Sequence, residues 1–536
     1  MQAHENGLPG REAEMSNSVN SSTIEKEAAT KNGVKRFVFV IIAFVLEVGL
    51  LLSIFFWLNN YAEWIAIGTR ILAAMLVLFI YNQNQTSAIK MSWIVLIMTL
   101  PLFGITLYCL IGLSISTKTM RGRYEEVDRK LFPCLPENRD VADRLTAQDK
   151  EAANIAGYIK RYSHYPVYDN SDIVYYDDAA DGLEAQKEEL RKAEKFIFME
   201  YHAIENAESW HGIQEILEDR VRAGVDVRVF YDDMGSIGFI NVDFVKLMEE
   251  KGIKCRVFNP FLPLLNIFLN NRDHRKVTVI DGKVGFTGGY NLANEYFHIT
   301  EPFGYWKDTG VKITGPAVKS LTAIFLEMWN AIRGDDENDK DYQVFFPDYP
   351  YEAKEDGFII PYADLPLDEE QVGENVYMAV ANYARDYAWF VTPYLILTDE
   401  MIHTLGLAAK QGVDVRVITP GIPDKKLVYS ITRSYYNSLV RNGVRIFEYT
   451  PGFCHAKMSI ADGRIATCGT INLDYRSLYH HFENGCLFMG YEAVDKVRED
   501  FEHMIAQSKE VTEDYKNPRA GRKLLQLFLR LFAPFL

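Results

Sequence analysis

An internal repeat places the tightest limit on how this 536-residue chain can fold. From about residue 150, apolar runs typical of strands alternate with stretches typical of helices, and their order occurs twice. The strand-like runs are 195–203, 225–231, 252–258 and 276–281 in the first copy, and 389–396, 413–419, 443–449 and 457–462 in the second. We therefore predict a duplicated α/β protein, with room for one active site at the pseudo-twofold interface.

Each copy ends in the same spaced pattern, H-x-K-x4-D-x6-G-x2-N. Its members are His274, Lys276, Asp281, Gly288 and Asn291 in the first copy, and His455, Lys457, Asp462, Gly469 and Asn472 in the second. One such pattern is only suggestive. Two copies with identical spacing, at equivalent ends of a repeat, disfavour both chance and the alternative of two buried structural histidines.

The residue types in this pattern suit phosphodiester exchange. Side chains on a strand alternate with period two, so the His and Lys of H-x-K share a face. Two such strands meeting across a pseudo-dyad would place two imidazoles and two ammonium groups around one phosphate. Imidazole is a competent nucleophile and proton carrier near neutral pH. The lysines can neutralise the charge that builds on the phosphoryl oxygens.

The remaining motif residues complete the predicted site. Asn291 and Asn472 are expected to bind substrate, and Gly288 and Gly469 to let the backbone approach it closely. Asp281 and Asp462 are grouped with the catalytic residues, although we expect them mainly to brace the turn after each strand. The chemistry needs no metal or other cofactor, and the six cysteines form no C-x-x-C pair.

Charge and hydropathy limit the partners. The formal net charge of −16 disfavours non-specific binding to nucleic acid or to anionic surfaces. Apolar runs at 37–58, 64–81 and 92–113 are each about the length that spans a bilayer, which predicts three transmembrane helices. Glu47 and Arg70 lie inside the first two runs, where pairing and snorkelling of Arg70 are both open. Basic clusters flank both ends of this region, so its orientation is not readable.

The duplicated motif resembles the phospholipase D superfamily. Its flanks are similar to bacterial cardiolipin synthases, most clearly in NNRDHRKVTVIDGKVGFTGGYNLANEY, YWKDTGVKITGPAV, HAKMSIADGRIATCGTINLDYRS and the apolar KMSWIVLIMTLPLFGITLYCLIG. The resemblance covers about residues 64–536. One departure is His481, which stands before Phe482-Glu483 where the family leads us to expect Asn.

The resemblance implies a two-step reaction through a phosphohistidine. It favours His274 as nucleophile and His455 as general acid and base, and the reverse assignment stays open. Each histidine needs an acid on its other ring nitrogen. Asp308 and Glu483, each about thirty residues past a motif histidine, are the expected orienting acids, and surface carboxylates are the alternative. The implied substrate is phosphatidylglycerol, and the implied protein is a multi-pass protein of the bacterial cell membrane. Its oligomeric state is unknown.

Two rivals stay open from the sequence. A phospholipase D-type hydrolase or another phosphatidyltransferase would use the same residues, and a scaffold with an inactive fold is disfavoured by two complete motifs. Two lipid-facing features each have an ordinary packing alternative: the apolar insertion at 259–273 and a basic amphipathic C-terminal helix. The predicted organisation is a polar disordered tail 1–34, membrane domain 35–115, linker 116–150, repeats 151–370 and 371–510, and C-terminal helix 511–536.

Overall fold

A computed structural model describes residues 63–109, 115–136, 139–260, 271–332 and 338–517, with a few single positions before and after them. Within these ranges, six α-helices precede the first sheet. They are α1 (Glu63–Tyr81), α2 (Ser87–Thr99), α3 (Pro101–Leu107), α4 (Ile115–Leu131), α5 (Arg139–Gln148) and α6 (Lys150–Ser163).

The next elements build the first half. They are β1 (Asp172–Tyr176), α7 (Ala179–Leu190), β2 (Phe196–Tyr201), α8 (Glu208–Arg222), β3 (Asp226–Asp232), α9 (Asp233–Ser236), α10 (Phe244–Glu250), β4 (Lys254–Phe258), β5 (Arg272–Asp273), β6 (Lys276–Ile280), β7 (Val284–Gly288), β8 (Gly310–Thr314) and α11 (Val318–Ala331).

The second half follows with similar elements. They are β9 (Phe358–Asp364), α12 (Val372–Tyr383), β10 (Tyr387–Val391), α13 (Asp399–Lys410), β11 (Asp414–Pro420), α14 (Lys426–Val440), β12 (Arg445–Tyr449), β13 (Met458–Ala461), β14 (Ile465–Gly469), α15 (Tyr475–Tyr479), β15 (His481–Met489), α16 (Glu492–Ala506), β16 (Ser508–Glu510) and α17 (Thr512–Lys516).

The two halves have matching sheets. The first sheet has the order β1-β8-β7-β6-β2-β3-β4, and the second runs β16-β12-β11-β10-β13-β14-β15-β5, with β9 also paired to β15. In each sheet three parallel strands continue into three antiparallel ones, β2-β3-β4 with β6-β7-β8 and β10-β11-β12 with β13-β14-β15. The predicted α/β fold with two similar halves is therefore confirmed.

The central strands are buried on both faces, as in sheets that are covered by helices. Every residue of β2 is buried, and so is every residue of β6. Helix α11 is buried almost throughout and contacts β6 of the first sheet and β9 of the second. The core thus runs continuously between the sheets, which fixes the two H-x-K strands relative to each other.

The halves also exchange strands at their junction. Strand β5, just before His274, pairs in parallel with β15 of the second sheet, with Arg272 opposite His481 and Asp273 opposite Phe482. A bridge between Lys307 and Cys454 makes the reciprocal connection. Strand β9 falls within the range predicted for the first repeat, 151–370, yet it pairs with the second sheet.

The predicted apolar runs have different outcomes. The first, 37–58, lies almost wholly outside the described residues, and so does Glu47. The second corresponds to α1, on which Arg70 is exposed. The third is not one continuous helix: the backbone turns at Leu100, and Pro101, which lacks an N–H, begins α3. A side chain on Gly104 would meet the Ile97 backbone at 2.7 Å, so glycine permits the tight packing of α3 on α2.

No helix within the described part of the chain combines the length and the apolarity needed to cross a membrane. Residues 261–270 of the predicted insertion and 518–528 of the predicted C-terminal helix lie outside the described residues.

Candidate active site

The two motif histidines lie at the junction of the two sheets, each just before its motif strand. The backbone N–H of His274 donates to the carbonyl of Phe482 at 2.9 Å, and that of His455 donates to the carbonyl of Lys307 at 2.7 Å. Both side chains are buried, with 7% and 6% of their surface exposed. Each H-x-K segment is therefore held in place by the opposite half of the molecule.

The orienting carboxylates are also exchanged between the halves. His274 Nδ1 lies 2.9 Å from Glu483 Oε1, and His455 Nδ1 lies 2.6 Å from Asp308 Oδ2. Both carboxylates are buried, so the alternative that they are surface groups is wrong. Because a carboxylate only accepts, each Nδ1 carries the proton and Nε2 keeps a lone pair. Each half contributes one histidine and the acid that orients the other.

The motif lysines lie beside their histidines and are almost fully buried. Lys276 Nζ donates to the His274 carbonyl at 2.6 Å. Lys457 Nζ donates to the His455 carbonyl and lies against the His455 ring, 2.6 Å from Nδ1 and 3.1 Å from Nε2. Burial lowers the pKa of Lys276 to about 7 and that of Lys457 to about 8. A nearby anion would therefore stabilise the charged form of both lysines.

The same surroundings keep both imidazoles neutral. Burial, together with the two neighbouring lysines, holds the pKa of His274 and the pKa of His455 well below the usual value. A neutral imidazole with its proton on Nδ1 has a nucleophilic Nε2. An arriving phosphodiester anion would offset the lysine charges and raise both pKa values. These charges therefore favour the binding of an anionic substrate.

Asp281 and Asp462 are not placed with the histidines, although the sequence groups them with the catalytic residues. Each follows the far end of its motif strand and adopts a left-handed backbone conformation, with φ of 54° and 53°. The Asp281 carboxylate accepts from the N–H groups of residues 194, 195 and 196, and that of Asp462 from residues 385, 386 and 387. They fasten this turn to the neighbouring strand, as the bracing role expects.

Gly288 and Gly469 have a structural explanation that the sequence does not reveal. A side chain on Gly288 would lie 2.4 Å from the Thr309 carbonyl oxygen, and one on Gly469 would lie 2.5 Å from the Asn484 carbonyl oxygen. The close approach that needs glycine is to the neighbouring strand, which begins two residues after Asp308 in the first half and contains Glu483 in the second. Both glycines thus help to set the orienting carboxylates in position.

The two motif asparagines are buried and differ in their contacts. Asn291 accepts from the Ala203 N–H at 3.1 Å and donates to the Tyr296 hydroxyl at 2.8 Å. Asn472 Oδ1 has no hydrogen-bond partner within the described part of the chain. Only Asn472 therefore keeps an amide oxygen uncommitted, and substrate binding by either residue stays a prediction.

Sequence reasoning missed His202. Its ring lies 4.9 Å from that of His274, and its Nδ1 donates to the Asp273 carbonyl at 2.6 Å. When the two halves are aligned on the turns that Asp281 and Asp462 brace, the residue equivalent to His202 is Pro393. The repeat therefore gives no signal at this position. A lone histidine after a strand has no motif to identify it.

Among the described residues, His274, His481 and Glu483 are a group whose donor atoms are close enough for one metal ion, within 4.8 Å of one another. Glu483 already accepts from His274 and from the Thr470 hydroxyl. A metal there would compete with the orientation of His274, so this donor set does not fit a resident ion.

Both halves of the chain are similar to a described protein family. Residues 187–329 and 377–505 match the family described as "Cardiolipin synthase, PLD-like domain". The chain is 40% identical to an uncharacterized protein of Streptococcus mutans, over 86% of this chain and 99% of that protein. It is 29% identical to cardiolipin synthase 2 of Bacillus anthracis, over 85% and 88% of the two chains.

A similar identity extends over almost the full length of another relative. The chain is 28% identical to a cardiolipin synthase of Halalkalibacterium halodurans, over 92% of this chain and 98% of that protein. The crystal structure of a phosphatidylserine synthase from Haemophilus influenzae covers 72% of this chain with a TM-score of 0.54 and 16% identity, which shows a shared fold. The chain belongs to the cardiolipin synthase family with phospholipase D-like domains.

Proposed function

We propose that this protein is a phosphatidyltransferase that converts two molecules of phosphatidylglycerol into cardiolipin and glycerol. The observation that carries the proposal is the pair of buried histidines, each oriented by a carboxylate from the other half. One imidazole can attack phosphorus while the other manages the proton. Relatives named as cardiolipin synthases support cardiolipin as the product.

In the first step, Nε2 of His274 attacks the phosphorus of the donor lipid. The P–N bond forms, and the bond from phosphorus to the glycerol head-group oxygen breaks. His455, whose pKa rises when the anionic phosphate is bound, gives its proton to the departing glycerol. Lys276 and Lys457 stabilise the charge on the phosphoryl oxygens, and Glu483 stabilises the positive charge that develops on His274.

In the second step, the neutral His455 removes the proton from a hydroxyl of the acceptor phosphatidylglycerol. The alkoxide oxygen attacks phosphorus, the P–N bond breaks, and His274 recovers its lone pair. One phosphodiester has been exchanged for another, so the overall free energy change is small. The roles of the two histidines follow the resemblance, and the near-symmetry of their contacts leaves the reverse assignment testable.

Membrane association is part of the proposal. Helix α1 carries the apolar side chains of Ile71, Leu78 and Phe79, each more than half exposed. Other exposed apolar side chains of this helix extend the surface. Such a surface would be covered by lipid rather than water. We propose that the apolar N-terminal part of the chain holds the catalytic halves at the bilayer, where the acceptor lipid is concentrated.

The direct test is lipid analysis after incubating the purified protein with vesicles of phosphatidylglycerol alone. Cardiolipin and free glycerol should appear in equal amounts. Phosphatidic acid as the main product would make the protein a hydrolase. If the folded wild-type protein forms no product at all, the proposal is contradicted altogether.

A further inference from the structure

The two sides of the candidate site are built differently, although the halves are related by a pseudo-twofold. Two residues before each motif histidine stand Arg272 in the first half and Phe453 in the second. Two residues before each orienting acid stand His481 and Trp306. The side at His274 is therefore polar and basic, whereas the side at His455 is aromatic.

The aromatic side is closely packed. The rings of Trp306 and Phe453 are 4.7 Å apart, and both lie within 6 Å of the His455 ring, at 5.6 Å and 5.8 Å. Tyr296 adds a third ring, 5.3 Å from His455. None of these groups can neutralise an anion.

The basic side has hydrogen-bonding capacity left over. Arg272 is 3% exposed, and its Nη1 donates to the Asn259 carbonyl at 3.1 Å. Its Nη2 is buried without a hydrogen-bond partner within the described ranges. Directly across the strand pair, both ring nitrogens of His481 also lack a hydrogen-bond partner among those residues. The His481 ring lies 5.4 Å from the ring of His274.

Arg476 adds a second guanidinium to this side. It lies on α15, five residues before His481, and is mostly shielded from solvent. Helix α15 packs against β15, the strand that begins at His481 and pairs with Arg272. The structure gives its guanidinium no hydrogen bond or ion pair to any residue that it describes.

Nearby carboxylates approach this side without reaching hydrogen-bond distance, and the nearest to His481 is Glu483, whose Oε1 lies 3.6 Å from His481 Nδ1. Asp474 accepts from the Ser477 N–H as the cap of α15, and Asp232 accepts from the N–H groups of Gly235 and Asp273. Arg272 Nη1 lies 3.8 Å from Asp232 Oδ2, beyond hydrogen-bond distance. The His274 side thus carries a buried guanidinium, a partly buried one and an imidazole, with unused hydrogen-bonding atoms on Arg272 and His481 among the described residues. This arrangement fits a phosphodiester anion.

We propose that Arg272, Arg476 and His481 form a second anion subsite, which holds the phosphodiester of the acceptor phosphatidylglycerol. The proposal rests on the proposed function. When the acceptor hydroxyl attacks the phosphohistidine, the acceptor's own phosphate is separated from the reacting phosphorus by one glycerol. It needs cations of its own, because Lys276 and Lys457 are engaged with the reacting phosphate. Water and free glycerol carry no phosphate and gain nothing from this subsite.

The experiment compares two soluble acceptors with the full-length protein in phosphatidylglycerol vesicles. Labelled glycerol and labelled glycerophosphoglycerol offer the same kind of hydroxyl, and only the second carries a phosphodiester. Arg476→Gln should lower transfer to glycerophosphoglycerol about tenfold to a hundredfold, the scale of a lost charge-assisted hydrogen bond. Glycerol exchange should change by less than about threefold, a difference smaller than one ordinary hydrogen bond.

Controls separate the possible failures. Arg498→Gln removes a positive charge from the partly exposed helix α16 and should leave both reactions unchanged. Unimpaired glycerol exchange shows that Arg476→Gln is folded, and His481→Phe, which copies the aromatic side, should reproduce its selective loss. Inorganic phosphate should compete with glycerophosphoglycerol in the wild type more strongly than in Arg476→Gln.

Equal losses with both acceptors, or no loss with either, would overturn the subsite. If the wild type makes cardiolipin but shows no preference for the phosphodiester acceptor, the subsite is wrong and the proposed function stands. If the wild type transfers to neither acceptor and makes no cardiolipin, the proposed function fails.

Discussion

At the scale of single residues, the site depends on pairs that the fold brings together from opposite halves. Sequence spacing identifies the two histidines and lysines because the motif occurs twice. It also finds Asp308 and Glu483, but not which histidine each one serves. Their position about thirty residues after a histidine suggests a partner in the same half, whereas the exchanged strands give each acid to the other half.

We expect His274→Ala and His455→Ala each to abolish cardiolipin formation, with losses of several orders of magnitude, because groups that act as a unit fail together. Near-normal turnover in either variant would contradict a shared site. A substrate with a strongly acidic leaving group needs no proton donor in the first step. With it, His455→Ala should accumulate a covalent lipid adduct on His274, and an adduct on His455 in His274→Ala would reverse the assignment.

The lysines should set an alkaline limit on activity. An ammonium group is present below its pKa and lost above it, and the pKa is about 7 for Lys276 and about 8 for Lys457 in the free protein. Since kcat/KM reports the free enzyme, it should fall as pH rises through this window. Lys276→Arg keeps its charge, so any residual activity should persist to higher pH.

Replacing each lysine by methionine tests how much its charge contributes to catalysis. Lys276→Met and Lys457→Met should each lower kcat at least about 100-fold, the scale of losing a group that stabilises the transition state. A flat pH profile in the wild type, or a Met variant that changes only KM, would exclude this role.

At the scale of secondary-structure elements, the motif strands show what the repeat can and cannot predict. Their positions follow from alternating apolar residues, and β6 begins at the predicted residue 276. The function of Asp281 in its turn depends on three N–H groups at the start of β2, which no local pattern specifies. The break at Pro101 inside the third apolar run was likewise missed, because hydropathy averages over a window and ignores a single proline.

Asp281→Asn and Asp462→Asn should therefore act on stability rather than on chemistry. An amide offers one acceptor oxygen and an NH2 group that faces backbone donors. The loss of charge-assisted bonds should cost about 2–4 kcal/mol and lower Tm by several degrees. Thermal unfolding measured with kcat below Tm is the test, and a large loss of kcat with unchanged Tm would return these residues to the catalytic set.

At the scale of the whole molecule, the helices before the first sheet are connected to the active site. Tyr124 of α4 stacks on Phe482 at 5.3 Å, next to the orienting Glu483, and its hydroxyl donates to Met328 of α11. The sequence predicts residues 116–150 to be a linker, but tertiary packing makes α4 part of the catalytic core. Such contacts depend on the global fold and are not visible in local periodicity.

Because α4 packs next to the active site, a truncation experiment has to keep this helix. Removal of residues 1–110 keeps α4 and should leave turnover of a short-chain soluble substrate within about threefold, because no site residue is disturbed. Transfer to vesicle lipid should drop much further, since proximity to the bilayer supplies the acceptor at high effective concentration. Equal losses on both substrates would show that the apolar segment supports the fold rather than lipid access.

The central claim is that two histidines in one shared site exchange a phosphodiester between lipids. The most direct measurement is mass spectrometry of the lipids formed from phosphatidylglycerol vesicles in 18O-labelled water, with and without excess glycerol. The account predicts cardiolipin without 18O, phosphatidic acid as a minor product, and reversal of cardiolipin formation by glycerol. Dominant 18O-labelled phosphatidic acid that is insensitive to glycerol would contradict it.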